Sequence, residues 1–121
     1  MGFFNKLFGK NKSDKKSENE LSLIERIVLS MNLLFEKSGN LNSQFEDEKL
    51  EIQKLARNAK NLAEVDEILG AKLEHEILAS ITKVSFSCDN ALAGKNLEEV
   101  KKNLASLNSL MNQRLSLQTK N

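Results

Sequence analysis

One apolar line spans nearly half of this 121-residue chain. At about 100° per residue, the step of an α-helix, Phe45, Ile52, Ala56, Ala59, Ala63, Leu73, Ile77, Ile81, Val84, Cys88 and Leu92 stay near one direction. Gly70 lies on the line and does not shift its phase. A helical core seam accounts for such spacing with no chemistry attached. Proline is absent and no stretch alternates as strands do, so the chain is expected to be all-α. With six Phe and no Trp or Tyr, its core has to be mainly aliphatic.

Two layouts follow from the line. Should the helix continue through Gly70, residues 44–93 form a rod of about 75 Å that needs a partner chain to close its core. Should the chain reverse near Gly70, or at Asn58 to Asn61, four segments fold back as an antiparallel bundle. Local signals favour continuity, because Ala71, Lys72 and Leu73 offer no cap for a new helix. The rarity of helices of about 50 residues favours the compact form. The expected architecture is therefore an antiparallel bundle of three to four helices with a long or kinked middle helix, preceded by a short amphipathic segment. Residues 1–16 form the basic tail and linker, and residues 17–121 the bundle domain.

The other boundaries have local signals. A first helix is expected from Ser17 or Glu18 to Lys37, with Leu21, Ile24, Val28, Met31 and Phe35 as its seam and Ile27 and Leu34 widening it. Ser38-Gly39-Asn40 should stop it, Gly39 taking a left-handed cap. Ser43 to Glu46 fits a capping box that starts the next helix. A last helix opens at Asn96 after Gly94, with Leu97, Val100, Leu104, Leu107 and Met111 as its seam and Leu110 beside it. Lys60 to Val65 echoes Lys95 to Val100, but the likeness fades within about ten residues and makes no repeat.

Candidate chemistry is sparse. His75 is the only histidine, and no ligand type stands three or four residues away, so it reads as a surface residue. Cys88 on the apolar line reads as a buried thiol without a base. Asp66 falls near the line, which suggests a helix break or exposed rim, or else a partner-specifying polar group. No phosphate loop, cysteine pair or catalytic triad occurs. No cofactor, metal or enzymatic activity is expected, and a body without stacking aromatics does not suit nucleic acid.

The first 16 residues differ from the rest. They hold five lysines against Asp14, a local charge of +4, while the other 13 basic and 16 acidic side chains leave −3. Phe3, Phe4, Leu7 and Phe8 fall on one side of a short helical pattern flanked by Lys6 and Lys10. These six residues are the candidate contact with an anionic membrane surface or a protein partner. Gly2 does not fit a myristoylation signal, because position 6 is Lys. No apolar run has the length of a signal peptide or membrane span.

Two readings remain open: a cytoplasmic scaffold or adaptor, peripheral at the inner face of the membrane, or a self-associating or protein-binding module with an incidental tail. The Lys- and Asn-rich composition suits a low-GC bacterial source.

Overall fold

The computed structural model describes residues 21–119. They form four α-helices: α1 (Leu23–Ser38), α2 (Glu46–Ala59), α3 (Ile68–Leu92) and α4 (Glu98–Thr119), with a 3-10 turn at Ser43–Phe45 before α2. Helix α1 packs on α2 and α3, and α4 packs on α3 and α2. The helices thus stand at the corners of a square, with α2 and α3 across a diagonal. The chain runs up, down, up and down, so the two hairpins α1–α2 and α3–α4 are antiparallel.

The long apolar line is divided between two helices. Phe45, Ile52, Ala56 and Ala59 are buried on α2 or the turn before it, and Leu73, Ile77, Ile81, Val84 and Cys88 are buried on α3. Residues 60–67 between them belong to neither helix. The reversal is close to the Asn58–Asn61 alternative rather than at Gly70, which lies inside the first turn of α3. The antiparallel bundle is the observed layout; its long middle helix is α3, at 25 residues the longest among the described residues, and α2 is separate from it. Each helix needs an apolar stripe, and nothing constrains the phase of one stripe against the other. Their agreement across the break is coincidental.

Helix α1 begins at Leu23, later than the expected Ser17 or Glu18. Ser22 is its N-cap: its hydroxyl accepts the Glu25 N–H at 3.1 Å, and Glu25 Oε1 accepts the Ser22 N–H at 2.9 Å. This reciprocal pair satisfies two backbone donors that a helix start leaves open. Its buried stripe is Ile27, Met31, Leu34 and Ser38, while Phe35 is 42% exposed. Because α1 touches two neighbours, the buried direction lies between them. Ile24 and Val28 are left partly buried at the edge of the core.

Other boundaries differ in detail. Gly39 ends α1 in right-handed conformation, φ −61°, so the left-handed cap expected there is not formed. Asn42, not Ser43, supplies the oxygen before α2, its Oδ1 accepting the Gln44 N–H at 3.1 Å. The left-handed cap is found at the end of α3. Gly94 has φ +80°, its N–H donates to Ala91 O, and the Lys95 N–H donates to Asn90 O at 2.8 Å. These two bonds make a Schellman motif. Asn96, also left-handed at φ +47°, precedes α4, which starts at Glu98 rather than Asn96. Leu97, expected in the α4 seam, is 36% exposed, and the seam instead runs Val100, Leu104, Leu107, Met111, Arg114 and Leu117.

Candidate functional site

The six residues singled out at the start of the chain, Phe3, Phe4, Lys6, Leu7, Phe8 and Lys10, lie outside the described residues. What the described residues supply is the body that carries them and one polar cluster within it.

That cluster forms where α4 meets the α2–α3 connection. Arg114 continues the α4 seam one turn after Met111 and is fully buried. Its Nε donates to Glu74 Oε2 at 2.8 Å, Nη2 lies 2.8 Å from the same oxygen, and Nη2 donates to Ala63 O at 2.7 Å. Nη1 donates to Gln118 Oε1 at 3.1 Å. One turn further on, Gln118 Oε1 accepts the Ala63 N–H at 2.7 Å, and its Nε2 donates to Asn61 O at 3.2 Å. The connection has no helical ladder of its own, so two α4 side chains take its backbone groups instead.

Gly70 completes the arrangement. A Cβ there would stand 2.5 Å from Val65 Cγ2 and 3.8 Å from Arg114 Nε. The absent side chain lets Val65 fold over the first turn of α3 beside the ion pair. Sequence spacing alone passed over Arg114, because a charged residue at a seam position was not counted as core. The signal available was that positions 100, 104, 107 and 111 lead by helical spacing to 114.

The guanidinium and carboxylate face each other and the backbone. A depression of about 210 Å³ alongside, lined by Leu23, Ile24, Glu64, Val65, Ala71 and Glu74, is open to solvent. The cluster is a clamp on the chain reversal.

No family model, curated protein or solved structure matches the chain.

The remaining candidates are placed plainly. His75 is exposed. Asp66 is also exposed and lies within the break, so it is not a polar group inside a seam. Cys88 is fully buried, and burial pushes its thiol up to about 11, with Lys37 opposing and Asp89 adding to the rise. At neutral pH it is a protonated thiol, which is a poor nucleophile. Above it, Lys37 Nζ joins α1 to α3, donating to Ser85 Oγ at 2.6 Å and pairing with Asp89 at 3.0 Å. Asn103 donates to Ser87 Oγ at 2.6 Å and joins α4 to α3. Among the described residues no group of three His, Cys, Asp or Glu side chains could hold a metal ion. None of their helices is long and apolar enough to cross a membrane.

Proposed function

We propose that the protein is a non-enzymatic helical scaffold or adaptor, held at an anionic membrane surface by its first residues. One observation carries the reading. Three of the six Phe and five of the lysines fall within residues 1–16, ahead of a polar stretch and a bundle that supplies its own core. Phe3, Phe4, Leu7 and Phe8 enter the acyl boundary, and Lys6 and Lys10 face the headgroups. Each lysine near such a surface contributes about 1 kcal/mol, and each apolar side chain at most about 1.5–3 kcal/mol if fully buried. An interface buries these side chains only partly, so attachment by one copy is weak and reversible. The inner face of the cytoplasmic membrane is the corresponding location.

The alternative, a protein-binding or homodimerisation module with an incidental tail, rests on a seam unbroken through Gly70 and on Asp66 inside it. The seam is divided between α2 and α3 and Asp66 is exposed, so those two supports fall away.

Vesicle flotation tests the proposal. The full chain is expected to float with anionic vesicles, less so with zwitterionic ones, and less so in 1 M salt, where the screening length falls to about 3 Å. A variant carrying Phe3→Ser, Phe4→Ser, Leu7→Ser and Phe8→Ser is expected to stay in the unbound fraction. Equal recovery of the two proteins removes the membrane reading and leaves a protein partner for this segment.

A further inference from the structure

The outward side of α1 carries Ser22, Glu25, Leu29, Leu33 and Glu36, all exposed and spaced three or four residues apart. Leu29 is 45% and Leu33 67% exposed, although the core of α1 is already closed by Ile27, Met31 and Leu34. Two leucines one turn apart thus form an apolar stripe, with Glu25 of the capping box one turn before and Glu36 one turn after, and with the partly buried Arg26 and Lys37 at the same spacings. Leu50 on α2 is as exposed at 61%, but it stands alone among charged neighbours.

The start of the chain carries the opposite pattern, with apolar Phe3, Phe4, Leu7 and Phe8 beside Lys6 and Lys10. Twelve residues separate Phe8 from Leu21, a tether of at most about 40 Å when extended. Leu33 lies about 18 Å beyond Leu21 along the helix. The segment therefore reaches the stripe with length to spare.

We propose that residues 3–8 dock on the Leu29/Leu33 stripe of α1 in their own chain, and that docking withholds them from a membrane surface. The membrane part rests on the function proposed above. The same four apolar side chains cannot face lipid and α1 at once, so the two contacts exclude each other. A short tether holds its end at an effective concentration in the millimolar range, which favours the chain's own segment over that of a second copy at micromolar concentration. Lipid binding then draws on the undocked fraction alone, and its apparent affinity is reduced by that fraction.

The absence of Trp and Tyr makes the test direct, since Phe3→Trp in the full chain is a sole emitter. Without lipid its emission is expected to be blue-shifted and protected from quenchers. Leu29→Ser with Leu33→Ser should move it to that of an exposed indole, while Leu50→Ser leaves it unchanged. The same Leu29/Leu33 pair should tighten binding to anionic vesicles, by about tenfold if the resting chain is docked nine-tenths of the time.

An exposed spectrum in the unaltered body overturns the proposal, as does an equal response to Leu50→Ser. A blue shift that vanishes on dilution also overturns it, by assigning the stripe to a second copy. A reporter that obeys the Leu29/Leu33 change while neither protein binds vesicles keeps the docking and removes the membrane function.

Discussion

At the scale of single residues, Arg114 carries the most consequence. It is a charge with no exposure, and its partners are Glu74, Gln118 and the Ala63 carbonyl. Removing it leaves the buried Glu74 carboxylate and the part-buried Ala63 carbonyl without this donor. Arg114→Met is expected to lower unfolding free energy by about 3–5 kcal/mol, the range for breaking a buried pair from one side. Arg114→Met with Glu74→Leu should cost less than the single change. Denaturant melts at constant pH measure both, and a loss under about 1 kcal/mol for the single variant contradicts the role given to this pair. Cys88 yields a pH prediction. Its pKa is raised in the fold from 9.0 to about 11, so the unfolded chain ionises first as pH rises. The stability this thiol contributes is complete below pH 9 and declines through pH 11. The comparison is with Cys88→Ala, whose stability should fall less steeply between those values. Parallel slopes for the two proteins count against the burial argument.

At the scale of elements, the decisive feature is a connection rather than a helix. Residues 60–67 lack a capping side chain for α3, since Glu67 is extended and makes no cap bond. Their fixation comes from α4, more than forty positions later, through Arg114 and Gln118. This is why the reversal was hard to read from local sequence. The line from Phe45 to Leu92 reports what each helix buries, and contact between distant segments decides where the chain turns. The all-helical content, the stop at Ser38 and the restart after Gly94 were legible, because turn residues and periodicity are local. The stripe of α1 was misjudged by part of a turn, since its direction depends on two neighbours that spacing does not name. Arg114 was missed because burial of a guanidinium becomes visible only with Glu74 and Ala63 beside it. Gly70→Ala probes this element. A helix gains up to about 1 kcal/mol from that change, but the new methyl meets Val65 Cγ2 at 2.5 Å, and overpacking of this kind costs about 1–3 kcal/mol. Net destabilisation is expected, and Val65→Ala in the same chain should recover part of it. A more stable Gly70→Ala single variant contradicts the close approach.

At the scale of the whole molecule, the bundle closes its own core with four helices, and this separates the body from the segment that precedes it. A continuous rod through Gly70 would be covered by only one helix along each half and would oblige the chain to associate to close its core. The closed square removes that need, and under the proposed function the Phe- and Lys-rich start of the chain is then the part that reaches a membrane surface. The functional proposal and the docking on α1 both depend on this separation. Spin labels at Asp47→Cys and Lys83→Cys, in a Cys88→Ala background, test it directly. Across the diagonal of the bundle, with helix axes about 8–10 Å apart along each side, the labels should lie within about 30 Å of one another, at every protein concentration. A distance near 54 Å, about 1.5 Å for each intervening residue of an unbroken helix, would contradict the reversal at residues 60–67 and the functional reading built on it.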